Sequence, residues 1–142
     1  MTRAAVLALL LLLAGCEQAG LLKPGDAQVV ARGKAVYAAQ CAACHGASLE
    51  GQPNWHERDA SGRLPAPPHD ASGHTWHHPD QVLFDITKYG VAKAAKIPDY
   101  VTAMPKYEGV LSDDEIVAVL SFIKAQWPPE IRNQQNEVNK RK

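Results

Sequence analysis

The chain has few of the features that define several large protein classes. It has only three cysteines, two of which share one short motif, so no pair remains for a disulfide. Its 15 basic residues equal its 15 acidic ones, and this lack of a basic excess argues against nucleic-acid binding. Its one long apolar run is shorter than the ~20 residues of a membrane-spanning helix. Internal repeats and convincing strand patterns are also missing, so a small α-helical domain is expected.

Two of the cysteines belong to the run Cys41-Ala42-Ala43-Cys44-His45, which has the C-x-x-C-H spacing of c-type haem attachment. A single helical turn presents both thiols to the two vinyl groups on one porphyrin edge, and His45 then lies where its imidazole binds iron. The alternatives are a redox dithiol, which lacks a surrounding βαβ pattern, and a zinc site, which lacks a regular second ligand pair. One such motif predicts one covalently bound haem c.

Residues 1–15 are predicted to be an export signal, with Arg3 followed by an apolar stretch from Ala4 to Ala14. The four residues that end at Cys16, Leu-Ala-Gly-Cys, resemble the lipobox of bacterial lipoproteins. That resemblance implies cleavage before Cys16, lipidation of its thiol and a membrane tether over residues 16–25. An ordinary cleaved signal peptide is the alternative. The lipoprotein interpretation predicts a bacterial cell-envelope protein that faces the periplasm, anchored to the inner or outer membrane.

The rest of the chain is predicted to form one domain over residues 26–127. Apolar periodicity, capping residues and breakers place helices at about residues 26–43, 79–90, 91–96 and 112–127. Gly33 lies within the first helix, where glycine costs about 1 kcal/mol relative to alanine, so another backbone is expected to approach closely there. Residues 46–78 carry four glycines and four prolines and are expected to form a long loop. Residues 128–142 are expected to be a polar, loosely ordered tail.

Gly33 and Tyr37 precede Cys41 at four-residue intervals, and with the C-x-x-C-H motif this pattern resembles the N-terminal helix of class I c-type cytochromes. The resemblance spans about residues 26–127. It implies an all-α, cytochrome c-like fold in which N- and C-terminal helices pack across each other around one covalent haem c. Val119 and Phe122 match the family's contact positions on the C-terminal helix.

The resemblance also implies a second axial ligand, a methionine on the loop before the last helix. Met104 is the only methionine left after signal removal, and it lies 59 residues after His45. A thioether ligand favours ferrous iron and raises the reduction potential; the alternative is a methionine that only packs in the core. The family's proline that accepts a hydrogen bond from the proximal imidazole lies among Pro65, Pro67 and Pro68, and the sequence does not choose between them.

Residues 69–78 depart from the compact members of that family. This segment contains four histidines and one aspartate: His69, Asp70, His74, His77 and His78. The alternatives for these imidazoles are ordinary hydrogen bonds, contacts to haem propionates together with Trp76 and Arg63, binding of copper or zinc, or replacement of Met104 on iron.

The predicted function is electron transfer between redox proteins outside the cytoplasmic membrane by a tethered, single-haem carrier that is not an enzyme. The alternatives are a copper-handling lipoprotein, a haem enzyme or sensor with an open iron site, and a subunit of a larger respiratory complex. Docking is expected on a locally positive face near Met104, formed by Lys88, Lys93, Lys96 and Lys106.

Overall fold

The structure, a computed structural model, describes residues 20–141. Its elements are α1 (Ala27–Gln40), α2 (Ala42–His45), a 3₁₀ turn (Thr75–His77), α3 (Asp80–Tyr89), α4 (Val91–Ala94), α5 (Asp113–Ala125) and α6 (Pro129–Lys140). No strand forms in this part of the chain, where the only β pairing is an isolated bridge between Glu108 and Leu111. The all-α expectation is confirmed. None of the helices between residues 20 and 141 is long and apolar enough to cross a membrane.

The first and fifth helices cross at Gly33. Asp26 caps α1 by accepting hydrogen bonds from the N–H groups of Gln28 and Val29 at 3.0 and 3.1 Å. A Cβ atom added at Gly33 would lie 1.9 Å from the carbonyl oxygen of Ala118 and 2.9 Å from the Cβ of Phe122. Only glycine allows the two backbones to approach this closely, so the cost of glycine in a helix is offset at the crossing.

The hydrophobic core lies between this crossing and α3. Helix α5 begins with a complete capping box, in which the side chains of Ser112 and Glu115 each accept a hydrogen bond from the other residue's backbone N–H. Its apolar face is almost fully buried, with Ile116 0 % and Val119 1 % exposed. The core cluster comprises Leu22, Tyr37, Leu49, Leu83, Phe84, Ile116, Val119, Leu120, Ile123 and Trp127.

Residues 128–142 were expected to be loosely ordered, and this expectation is wrong for residues 129–140, which form α6. Gln135 on this helix is fully buried, and its Nε2 donates to Asp80 Oδ1 at 2.7 Å and to the His78 carbonyl at 3.1 Å. Asp80 is also paired with Lys124 at 3.5 Å, and both side chains are at most 5 % exposed. The polar helix α6 is therefore held in place by the side-chain amide of Gln135, which donates a hydrogen bond to the buried carboxylate of Asp80.

The expected tether, residues 16–25, is partly built into the domain. Leu22 is 5 % exposed and belongs to the core cluster. Its N–H donates to Asp80 Oδ2 at 3.1 Å, and the N–H of Lys23 donates to Ser121 Oγ at 2.9 Å. The described chain is therefore fixed from Leu22 onward, and residues 16–19, like the predicted signal at 1–15, lie outside the described residues.

Candidate haem site

The C-x-x-C-H motif lies where α1 gives way to the short helix α2. Cys41 is the residue between the two helices, and its N–H still donates to the carbonyl of Tyr37 at 2.9 Å. Both Cys41 and Cys44 are free thiols; Cys41 is half-buried and Cys44 is exposed. Burial, followed by the proximity of Cys44, raises the pKa of the Cys41 thiol to about 11. One helical turn thus presents two free thiols and one imidazole, as the sequence pattern predicts.

His45 ends α2, and its ring is 8 % exposed. Its Nδ1 lies 2.8 Å from the carbonyl oxygen of Pro67. Because a carbonyl only accepts, Nδ1 carries the proton, and the lone pair of the ring is on Nε2. Burial lowers the pKa of His45 more than the bond to Pro67 raises it, so the imidazole is neutral at pH 7. A neutral ring with an oriented Nδ1–H is the form that ligates a metal through Nε2.

The structure thus distinguishes Pro67 from the two other candidate prolines. Its position is fixed by the folding of the 46–78 loop back onto the haem motif. Gly51 donates its N–H to the carbonyl of His45 at 2.8 Å, and the N–H of Gln52 donates to the carbonyl of Ala66 at 2.9 Å. Gly51 adopts φ +69°, and a Cβ there would lie 2.4 Å from the Pro68 nitrogen, so glycine is required at the point of closest approach.

Leu49 supplies a second anchor for the same loop. It is buried and adopts φ 70°, a left-handed conformation that costs a branched residue about 1–2 kcal/mol. In this conformation its carbonyl accepts from the N–H groups of His69 at 2.8 Å and Asp70 at 3.3 Å. The local strain is offset by burial of the leucine and by bonds that hold the loop over His45.

One loop histidine, His69, lies directly against the haem motif. Its ring stacks on that of His45, with centroids 4.0 Å apart and planes at 24°. Its Nδ1 lies 2.8 Å from Oγ1 of Thr75, and its carbonyl accepts from Nε1 of Trp127 at 2.7 Å. Burial, followed by the proximity of His45 and His74, lowers the pKa of His69 to about 3. A metal bound by His45 would have His69 on the same side as His45, so the structure does not favour His69 as the ligand that would replace Met104.

The other loop histidines do not gather into a metal site. His74 stacks on Trp55 and meets His78 edge to face, with ring centroids 5.4 and 5.5 Å apart respectively. Burial, followed by neighbouring histidines, lowers the pKa of both. Within residues 20–141, no three histidine, cysteine or carboxylate side chains are arranged to hold a metal ion. The copper or zinc alternative therefore finds no ready-made three-ligand site.

Two side chains that the sequence suggested for haem propionates are engaged elsewhere. Arg63 pairs with Asp59 at 3.4 Å on the surface. The Trp76 indole donates to the carbonyl of Ala71 at 3.3 Å. Their contacts to propionates stay a prediction.

Met104 lies on the non-helical segment between α4 and α5, with its side chain half-buried. Its N–H donates to Thr102 Oγ1 at 3.0 Å. Three residues later, Tyr107 is 7 % exposed and donates its hydroxyl to the carbonyl of Gln40 at 2.8 Å. Gln40 immediately precedes Cys41, so this hydrogen bond holds the Met104 segment next to the haem motif. No local sequence signal predicts this role for Tyr107, because its hydrogen-bond partner is 67 residues away.

The four lysines near Met104 are not equivalent. Lys93, Lys96 and Lys106 are exposed, whereas Lys88 bonds Asp113 at 2.7 Å with its side chain only 20 % exposed. The same segment exposes three apolar side chains: Ile97 50 %, Val101 50 % and Val110 63 %. Among residues 20–141, the locally positive face expected from the sequence therefore has three lysines with no ion pair, of which Lys93 lies over the ring of Tyr89 at 4.2 Å, whereas Lys88 is neutralised by Asp113.

The donor set fits a covalent haem c. The groups that would hold this cofactor are present. They are two free thiols at one turn, a buried imidazole whose Nδ1–H is bonded and whose Nε2 is not, and a thioether on a loop that is hydrogen-bonded to the haem motif. The assignments of Cys41, Cys44, His45 and Met104 as haem ligands stay predictions. The predicted lipidation residue, Cys16, lies outside the described residues.

A family model described as cytochrome c oxidase, cbb3-type, subunit III matches residues 28–123, which are 96 of the 142 residues. The match runs from α1 into α5 and includes the C-x-x-C-H motif, Pro67 and Met104. Leu22 and α6, which meet at Asp80, lie outside it. Comparisons with curated proteins and with solved structures gave no match.

Proposed function

The chain belongs to the family described as cytochrome c oxidase, cbb3-type, subunit III, a c-type cytochrome domain with covalently bound haem c, and we propose that it carries single electrons between redox proteins. The observation that supports this function best is the geometry of His45. Its Nδ1–H is held by the Pro67 carbonyl at 2.8 Å, beside two free thiols on the same helical turn. This arrangement prepares an axial ligand and two attachment points together.

In this proposal each residue has a defined task. Cys41 and Cys44 hold the porphyrin edge through thioether bonds, and His45 ligates iron through Nε2. The Pro67 carbonyl keeps the Nδ1 proton in place, which fixes the tautomer and increases the basicity of the ligand. Haem c supplies a one-electron ferric/ferrous couple.

Met104 is proposed as the second axial ligand, held in place by the Tyr107–Gln40 bond. A six-coordinate iron has no open position for a substrate, which favours a carrier over an enzyme or gas sensor. A thioether also stabilises ferrous iron and so raises the potential relative to a second nitrogen ligand.

Partners are proposed to dock on the surface around Met104, which we call the docking face: Ile97, Val101, Val110, Lys93, Lys96 and Lys106. Exposed apolar side chains supply contact area at the centre of an interface. The three exposed lysines steer an acidic partner and increase the association rate at low salt.

The protein is also proposed to be a lipoprotein of the bacterial cell envelope, anchored through Cys16 and facing the periplasm. Because Leu22 is fixed in the domain, the six residue steps from Cys16 to Leu22 limit the distance between the lipid and the domain to about 20 Å. Such a tether keeps the domain near the membrane surface. Mass spectrometry of the mature N-terminus tests this: an unacylated terminus at another residue contradicts it.

A second candidate is a haem subunit of a larger oxidase complex, which the description of the family names. The chemistry at the haem is the same, but the partner is permanent. Purification from membranes under mild detergent separates the two: a carrier elutes as a single chain, and a subunit elutes with stoichiometric partners.

The central test is haem-stained denaturing gel electrophoresis of the exported protein. Wild type is expected to stain at its own band, and the Cys41→Ser, Cys44→Ser double variant is expected to lose the stain while remaining detectable by antibody. Staining of the double variant contradicts covalent attachment at these thiols.

Optical spectra then test the carrier function. Ferric wild type is expected to show the weak red band of sulfur-to-iron charge transfer and, when reduced, to bind carbon monoxide poorly. Met104→Ala is expected to lose the band and bind carbon monoxide. If wild type binds carbon monoxide as readily as the variant, Met104 is not a ligand and the iron site is open.

A further inference from the structure

Two residues of one loop contact the imidazole of His45, Pro67 through its backbone carbonyl and His69 through its ring. Pro67 bonds its Nδ1 at the ring edge, and His69, two residues later, covers one ring face at a centroid distance of 4.0 Å. We propose that His69 is a positioning residue for His45, which fixes the plane of the imidazole. This inference rests on the proposed function, because it takes His45 as an iron ligand.

The ring of His69 is itself held from several sides. Its Nδ1 is paired with Oγ1 of Thr75, which is 6 % exposed and opens the 3₁₀ turn. Its backbone N–H donates to Leu49, and its carbonyl accepts from Trp127 just beyond α5. A side chain restrained at both its backbone and its far end can restrain a neighbour that it stacks on.

Close backbone contacts at Pro68, the residue before His69, restrict movement of His69 away from His45. A Cβ atom at Gly73 would lie 2.0 Å from the carbonyl oxygen of Pro68, and one at Gly51 would lie 2.4 Å from the Pro68 nitrogen. The residue before His69 is therefore enclosed by two backbone segments. Both close approaches require glycine, and they set the point from which the His69 side chain reaches His45.

A stacked ring adds a restraint that the Pro67 bond alone does not give. A single hydrogen bond fixes one atom of the His45 ring and still allows the ring to tilt about that point. Contact over a whole ring face removes this freedom. The orientation of an axial imidazole affects how unpaired spin is distributed over a ferric haem. The proton NMR shifts of the haem methyl groups depend on this distribution and therefore respond to the imidazole plane.

The test is the proton NMR spectrum of the ferric holoprotein, in which the hyperfine shifts of the four haem methyl groups report the plane of His45. His69→Leu is expected to change the order or spread of these shifts while covalent haem remains. The matched control is His56→Leu, the same change at an exposed histidine whose ring stacks on Trp55. The control is expected to retain the wild-type pattern.

Thr75 supplies a second, smaller perturbation in case His69→Leu fails to fold. Thr75→Val removes the hydroxyl that holds His69 and keeps the side-chain shape, and it is expected to shift the methyl pattern. Thr75→Ser keeps the hydroxyl and is expected to restore the wild-type pattern. The proposal is overturned if His69→Leu, or Thr75→Val where His69→Leu does not fold, keeps the wild-type pattern. Absence of covalent haem from wild type would instead contradict the proposed function.

Discussion

Replacement of Gly33 by alanine is expected to destabilise the protein, although alanine is the better helix former. The Cβ of this alanine would lie 1.9 Å from the carbonyl oxygen and 2.5 Å from the carbonyl carbon of Ala118. Ordinary contact begins at 3.4 Å, so α1 and α5 must separate by about 1.5 Å. The atoms in conflict belong to the backbone of a helix and not to a flexible side chain, so they have no local way to yield.

The size of the effect follows from two opposing contributions. Alanine gains about 1 kcal/mol over glycine in helix propensity. Overpacking of a core usually costs about 1–3 kcal/mol, and a gap of 0.5–1 Å already removes a quarter to a half of each dispersion contact. Because this clash would separate two whole helices, we place the cost at or above the upper end. The expected net loss is about 2 kcal/mol or more in the free energy of unfolding.

Urea unfolding of the holoprotein, followed by circular dichroism and by haem absorbance, measures this loss. For an m-value of about 2 kcal/mol/M, the midpoint is expected to fall by about 1 M. The matched control is Gly25→Ala, whose Cβ would meet nothing within 4 Å; its effect is expected to stay within about 0.5 kcal/mol. A Gly33→Ala protein as stable as wild type would refute the close crossing.

Three other predictions concern pH, the buried ion pair and docking. Burial raises the pKa of Tyr37 well above 10, so the unfolded state loses its proton first. Stability should therefore fall by up to about 1.4 kcal/mol per pH unit as the pH rises above 10, and Tyr37→Phe should reduce this slope in unfolding titrations. Lys124→Met leaves Asp80 buried without its cation and should cost about 3 kcal/mol by urea unfolding; no loss would mean that the hydrogen bonds to Asp80 suffice. Stopped-flow electron transfer to an acidic partner at low salt should slow when Lys93, Lys96 or Lys106 is changed to glutamine, because each change removes one positive charge from the docking face. The double change Lys88→Gln, Asp113→Asn removes a pair whose charges already cancel and should leave the rate nearly unchanged; equal effects would contradict the distinction.

Local sequence was sufficient for the elements that carry their own start and stop signals. The capping box at Ser112 predicted the beginning of α5, and Asp26 and Gly90 lie at helix ends as expected. The prolines at 128–129 follow the end of α5 at Ala125, but Pro129 also begins α6, which the sequence did not predict. The C-x-x-C-H spacing is likewise local, since one helical turn brings its three side chains together. Gly33 inside an otherwise regular helix predicted a nearby backbone, and the resemblance to class I c-type cytochromes implied that this backbone belongs to the C-terminal helix.

Local sequence was misleading where a polar residue is stabilised from a distance. The segment that forms α6 has only two apolar residues on its inner side, Ile131 and Val138, and Gln135 lies between them. A buried glutamine is favourable only when its partners are present, and its partner Asp80 is 55 residues away. For the same reason, the burial of Leu22 in the expected tether depends on contacts that its neighbours in sequence do not indicate.

Spacing along the chain was enough to predict the all-α class, a close backbone approach at Gly33 and the three residues of the C-x-x-C-H motif, whereas the identity of the helix that crosses at Gly33 was implied by the family resemblance. The bond from His45 to Pro67, the stacking of His69 on His45 and the bond that holds the Met104 segment through Tyr107 are seen only in the folded structure. The residues from 46 to 78 have no periodicity, and their positions are set by backbone hydrogen bonds and by two close approaches at glycines. Such contacts join residues far apart in the chain, and their partners become known only when the loop is closed.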